Sequence, residues 1–295
     1  MDKFHSTILG FAVGDALGVP YEFKSRFVLK KTEINMIGYG THNQPKGTYS
    51  DDTAMVLATL DTMNKGYDLK KLFGNFRLWY YKGEYAIEGN IFDIGNTTKK
   101  FLMLPFDSKK ELNNRYSGNG SLMRVLPYAF YLLKEDDSKK RFKIISQSSR
   151  LTHPSILAEW GAFLYEEYFR LLLQGLNKLS AYEKLCDLYI EKAPSVFSGI
   201  LSKKVHLKYE SSIKSSGYVV DTLASVFWTF LRNEGYKNNV VASIKLGDDT
   251  DTIGALVGAL AGFYYSDIPQ DWLDDLRGKI LIEHIIDDFE VNFAK

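Results

Sequence analysis

A single cysteine, Cys186, is found in 295 residues, so no intramolecular disulfide can form and the disulfide-stapled scaffolds are excluded. That usage fits a reducing compartment, and the cytoplasm is the expected location. Charge of one sign is not in excess. Thirty-seven basic residues face 36 acidic ones for a formal net charge of +1, without the electrostatic footprint of a chain held in bulk on nucleic acid. Long apolar runs are missing as well. The opening segment, MDKFHSTILGFAVGDALG, is broken by Asp15, which suits neither a signal peptide nor a membrane span. The stretch Ile253 to Tyr265 is too short to cross a bilayer and reads as a core helix. No membrane is expected as a partner, and no nucleic acid in bulk. No linker rich in Pro, Gly or Ser divides the chain, so residues 1–295 are expected to form one domain, acting as a monomer.

Alternation with period two is also scarce; Lys203 to Glu210 is the one passable strand. Spacing near 3.6 recurs instead, predicting helices over Phe4–Gly18, Thr53–Asn64, Leu69–Tyr81, Ser121–Leu133, Ile156–Leu173, Tyr182–Ile190, Val219–Leu231 and Thr252–Tyr265. The expected fold is all-α, a single-domain multi-helix bundle. Two helices are crowded with small residues: Gly10, Gly14 and Gly18 in the first, Gly254, Gly258 and Gly262 in the last long one. A glycine inside a helix costs about 1 kcal/mol relative to alanine, so this density predicts backbones in close approach.

Two acidic motifs stand at helix starts. In YSDDTAMVLATL, Ser50, Asp51 and Asp52 could simply cap the helix, which favours acids at its N-terminus. In KLGDDTDTIGALVGALAG, Asp248, Asp249, Asp251 and Thr252 exceed what capping needs, and carboxylates packed together repel without a cation. Neither motif offers Cys or His at ligand spacing. All-oxygen donors select hard ions such as Mg²⁺, Mn²⁺ or Ca²⁺. The downstream Glu and the glycine of an EF-hand loop are missing, which excludes that module. Further along, SGNGSLMR places Gly118, Asn119 and Gly120 before Ser121, a glycine-rich turn that serves either as a plain N-cap or as a cradle for phosphate.

Seven ordered segments, FAVGDALGVPYEF, GTYSDDTAMV, FDIGNTT, GNGSLMRVLP, LTHPS, GYVVDTLASVFW and GDDTDTIGALVGALAGFYY, resemble the motifs of the ADP-ribosylglycohydrolase family. The likeness runs from about Ile8 to about Trp272. It implies an all-helical domain that hydrolyses an ADP-ribosyl bond with two divalent metal ions, Mg²⁺ or Mn²⁺, held by Ser50, Asp51, Asp52, Asp249, Asp251 and Thr252. The implied substrate is an ADP-ribosylated protein or a small ADP-ribosyl conjugate. Ser50 stands where the family usually has Thr, and Asp248 where it commonly has Gly. The resemblance also implies that Glu22 reaches toward the metals and that Asp93 faces the target group. Glu22, Asp93 and Asp52 are thus the candidate catalytic acids. Gly118, Asn119, Gly120, Ser121, Met123, His153 and Tyr218 are the candidate substrate-binding residues. Asp15 is read as structural, and Arg124 as a partner either for phosphate or for an acid. His5, His42, His206 and His284 have no matching context. A catalytically inactive member, binding ADP-ribose or serving as a crystallin-like structural protein, is the alternative.

Overall fold

The computed structural model describes residues 2–293. Its α-helices are α1 (Lys3–Gly18), α2 (Arg26–Lys30), α3 (Asp51–Asn64), α4 (Leu69–Lys82), α5 (Asn96–Leu102), α6 (Leu126–Tyr131), α7 (Ser138–Ser149), α8 (Ile156–Leu173), α9 (Lys178–Tyr189), α10 (Ser198–Leu201), α11 (Val219–Arg232), α12 (Tyr236–Ile244), α13 (Thr250–Tyr265), α14 (Gln270–Asp275) and α15 (Lys279–Phe293). Among the described residues there is no sheet, only one isolated antiparallel bridge between Gly118 and Tyr218. The fold is all-α. Lys203 to Glu210 holds a short 3-10 turn at Val205–Leu207 and no strand.

Helices α1 and α13 run antiparallel through the centre, buried on every side from Ser6 to Gly18 and from Thr250 to Phe263. Their glycines make this approach possible. A Cβ on Gly14 would fall 2.2 Å from the Gly254 carbonyl oxygen, and one on Gly258 would fall 2.3 Å from that of Gly10. At the far end, a Cβ on Gly18 would sit 2.5 Å from the Cα of Asp251. The same contact that removes side chains therefore presses the end of α1 against the start of α13. α3, α11 and α15 pack against this pair and α12 lies along α13; α4 packs on α3, and α6, α7, α9 and α11 pack on α8, with α6 also touching α3.

Sequence signals set the ends of these helices. Ser50 caps α3 by accepting from the Asp52 amide at 3.3 Å, and Asp68 caps α4 by accepting from Lys71 at 2.8 Å. Gly83, with φ +70°, closes α4 in the left-handed conformation. The helix predicted over Ser121–Leu133 is shorter in the structure. Residues 120–124 form turns and α6 opens beside Pro127, whose ring fits the first helical turn and cannot donate to an earlier one. Cys186 is buried on α9 as a free thiol.

Candidate metal centre and substrate cavity

The antiparallel contact of α1 and α13 puts Asp15, one turn before the end of α1, beside Asp251, in the first turn of α13. Asp15 then fixes α3 against both. Its carboxylate accepts from the Ser50 amide at 2.9 Å, the Thr53 amide at 3.0 Å and the Thr53 hydroxyl at 2.6 Å. This is the expected structural role, an N-terminal cap supplied from another helix. It also brings a carboxylate oxygen of Asp15 within 4.8 Å of one on Asp52 and one on Asp251. A second set, Glu22, His42, Asp93 and Asp251, meets the same limit and shares Asp251 with the first.

Both acidic motifs thus arrive at one point. Asp52 Oδ2 accepts from the Ser50 hydroxyl at 3.1 Å and from the Thr252 hydroxyl at 3.2 Å, linking the two. Asp52 Oδ1 and Asp251 Oδ2 are buried with no hydrogen-bond partner. Orphaned buried carboxylate oxygens of this kind fit a bound cation, because burying an unpaired charge is otherwise costly. Asp51 and Asp249 are buried alongside but lie outside the two closest sets.

The electrostatics record the crowding. Burial, reinforced by the neighbouring acids, holds Asp51, Asp52 and Asp251 well above the usual carboxylate range. Burial likewise raises Asp15 to about 6 and Asp249 above its ordinary value. Glu22 is pushed up to about 8 by burial and then by the charges of Asp249 and Asp15, and Asp93 to about 7 by burial and then by Glu22. A dication in their midst would reverse each of these shifts.

Above the acids opens a cavity of about 490 Å³. Glu22, Asp51, Asp52, Asp93, Asp249 and Thr252 form part of its wall, and Gly118, Asn119, Gly120, Met123 and His153 another part. Ser50, Ser121, Tyr218 and Asp251 are not part of this wall. The Ser121 hydroxyl accepts from Ser149 at 2.9 Å, and the backbone of Tyr218 pairs with Gly118. Asn119 spends its side chain on the protein, donating to Asp249 Oδ2 at 2.6 Å and to the Thr222 hydroxyl at 3.0 Å. It orients an acid. Gly120 is required by His153, whose Cε1 would lie 2.6 Å from an added Cβ. The glycine-rich segment is therefore not the start of a helix, as its spacing had suggested; it is a turn shaped around an imidazole. Burial and then the Arg124 charge hold His153 down to about 3, so its ring is neutral, with Nδ1 2.9 Å from the Thr152 hydroxyl.

The hydrogen bonds of Arg124 all go to the protein's own backbone and hydroxyl groups. It is fully buried, donates to the Gly120 and Ser148 carbonyls and to the Thr152 hydroxyl, and lies over the Phe76 ring at 4.6 Å. Its work is to hold the Gly120 turn and the His153 loop together. Asp248 is exposed at the mouth with φ +58°, which accounts for a position where glycine is common, since Asp is among the few residues that tolerate the left-handed region.

Sequence reasoning missed several neighbours. His42 sits with its Nε2 in short contact with Glu22 Oε2 and 3.7 Å from Asp93 Oδ1. Its one signal was its place in the loop that feeds the Ser50 motif. Phe23, 68% exposed with φ +60°, stands at the mouth, its amide donating to the Asp248 carbonyl at 2.7 Å. Asn96, Thr97 and Thr98, outside every helix the spacing predicts, open α5 and line the cavity.

Against known proteins, the family model described as ADP-ribosylglycohydrolase matches residues 1–294. The chain is 29% identical to an ADP-ribosylarginine hydrolase of Serratia proteamaculans, over 94% of this chain and 75% of that protein. It is 28% identical to an ADP-ribosyl-[dinitrogen reductase] glycohydrolase of Rhodospirillum rubrum, over 95% and 92%. A solved structure titled ADP-ribosylglycohydrolase-related protein complex superposes with a TM-score of 0.81 at 25% identity, covering 98% of this chain and 96% of that one. A match over nearly every residue, joined to a fold that gathers the two acidic helix starts into one buried centre, means that the chain belongs to the ADP-ribosylglycohydrolase family.

Proposed function

We propose that this chain is a hydrolase, dependent on two divalent metal ions, that releases ADP-ribose from a modified protein side chain or a related ADP-ribosyl conjugate. The observation that carries the reading is the pair of unpartnered buried oxygens, Asp52 Oδ1 and Asp251 Oδ2, beneath a cavity large enough for a nucleotide-sized ligand. The retained acid set, most of it lining that cavity, favours a catalyst over the inactive alternative. Relatives named for ADP-ribosylarginine make that N-glycosidic linkage the first to assay.

Ser50, Asp51, Asp52, Asp249, Asp251 and Thr252 would hold the metals, and their all-oxygen character selects Mg²⁺ or Mn²⁺. When bound, such ions supply Lewis acidity and a lowered pKa for water. In the reaction the bond from C1 of the ribose to the leaving nitrogen or oxygen breaks, a bond from C1 to a water oxygen forms, and one proton passes to the leaving group. Glu22 and Asp93 would manage that proton at their carboxylate oxygens, a reading supported by His42 lying against both. Asn119 orients Asp249, and the neutral His153 offers the cavity a ring edge without adding charge.

The test is a two-residue cycle. Asp251→Asn and Asp51→Asn should each abolish nearly all ADP-ribose release at saturating Mg²⁺ or Mn²⁺, and the double variant should lose little more, since groups acting as one unit are non-additive. Normal turnover in either single variant, or independent losses, would refute the shared centre.

A further inference from the structure

Beside the catalytic cavity lies a second one, of about 410 Å³, whose lining includes Phe101, Leu104 and Leu112 together with Lys100, Lys110 and Arg115. Its position is fixed by α5. Asn96 belongs to the catalytic wall and Lys100 to the second cavity, and positions four apart share one helix face. On the other side the chain passes from Arg115 to Gly118 in three residues, from one cavity into the other.

The charge here is not neutralised within the molecule. Lys109 pairs with Glu111 at 3.2 Å, but among the described residues Lys100, Lys110 and Arg115 make no ion pair with a carboxylate. Aromatic faces hold them instead. Lys100 donates to the Tyr116 hydroxyl at 2.6 Å and lies 4.8 Å over that ring, Arg115 lies over it at 4.7 Å, and Lys110 lies 4.9 Å over the Phe73 ring. A ring face steadies a cation and leaves its positive charge available to a partner. The Tyr116 hydroxyl is held below its usual value first by the Lys100 hydrogen bond and then by a hydrogen bond from Arg115 and the charges of Arg115 and Lys100, against burial. Leu112, 44% exposed, adds an apolar surface within the basic rim. Cations held around a hollow that is half apolar, with Glu111 its one acid and already paired to Lys109, suit a peptide chain bearing carboxylates.

We propose that this cavity is a docking site for an acidic segment of the ADP-ribosylated protein, so that the modified side chain enters the adjacent catalytic cavity. The inference rests on the function proposed above, and its test has a separate readout. A fluorescein-labelled glutamate-rich peptide and a serine-rich one, neither ADP-ribosylated, are titrated with the full chain at low salt and followed by anisotropy, while release of ADP-ribose from free ADP-ribosylarginine is measured in parallel. The wild type should bind the acidic peptide at least tenfold more tightly than the serine peptide. K110E/R115E should lose that preference and keep its turnover of ADP-ribosylarginine; if that pair does not fold, K110Q/R115Q carries the same comparison. Equal binding of the two peptides, a preference that survives in the variant, an equal loss of small-substrate turnover, or tighter binding of a single-stranded oligonucleotide with the same sensitivity would each overturn the assignment. Absence of turnover in the wild type would count against the proposed function and leave the peptide result to stand by itself.

Discussion

Gly120 shows how one missing side chain can be read in two ways. Its sequence context suggests room for a ligand; the structure fills that room with the His153 ring. An added methyl would meet Cε1 at 2.6 Å and Nε2 at 3.0 Å, so Gly120→Ala should displace the imidazole from the cavity wall. The expected outcome is roughly a tenfold loss of ADP-ribose affinity, about 1.4 kcal/mol, with the helical circular dichroism spectrum retained. Calorimetry with ADP-ribose checks it, and unchanged affinity would mean that His153 is not a binding residue. Asp248 provides the opposite case, a position in the left-handed region where glycine would be easier. Asp248→Gly should leave thermal stability within about 1 kcal/mol, whereas Asp248→Val, branched at Cβ, should lower it by roughly 1–2 kcal/mol. Equal melting temperatures for the two variants would show that this backbone is not held at φ +58°.

Helices reveal which parts of the molecule are legible in sequence. α1, α3, α4, α8, α11 and α13 follow from the spacing of their apolar residues, and the crowded glycines correctly anticipate the α1–α13 contact. α7 does not, because SKKRFKIISQSS has few apolar residues and buries serines and Arg141 against α8 instead. α5 does not either, because it opens on Asn96, Thr97 and Thr98, which are poor helix formers. Of the site, the acids of the second motif could be read because like charges so close together need a reason, whereas Glu22 and Asp93 stand out only through the family resemblance. His42 could not, as its meaning lies in Glu22 and Asp93, 20 and 51 positions away in the chain. Two glycines separate packing from propensity. Gly254→Ala would thrust a methyl to 2.6 Å from the Gly14 carbonyl oxygen, and overpacking of this sort costs about 1–3 kcal/mol. Gly74, inside α4, has nothing within 4 Å of an added Cβ, so Gly74→Ala should stabilise by about 1 kcal/mol. Urea denaturation of both variants is the check, and a stable Gly254→Ala would mean that α1 and α13 are not in contact through their backbones.

At the scale of the whole molecule, the buried acids make the stability of the fold depend on pH and metal together. Asp15, Asp93 and Glu22, at about 6, 7 and 8 in the metal-free fold, hold their protons more tightly than they do in the unfolded chain. Their contribution to stability is therefore complete below pH about 4 and is lost as pH rises through those values. An acid displaced by two units accounts for about 2.7 kcal/mol, so in EDTA the melting temperature should fall by at least about 5 °C between pH 5.5 and 8.5. Excess Mg²⁺ or Mn²⁺ should remove most of this slope. Glu166, buried on α8 with both oxygens unpartnered, adds a loss of the same sign, but it is not among the acids that meet at the candidate centre. A melting temperature that ignores metal at pH 8.5 would rule out the cluster as a cation site. The antiparallel seam of α1 and α13 also bears on the order in which the protein is made. Asp15 leaves the ribosome more than two hundred residues before Asp251, which it must face. Until then the first helix has no partner for its glycines and the acids have no centre to join. A chain that stops short of α13 should thus be unable to retain metal, which would make ion capture a mark that synthesis has passed the last acidic motif.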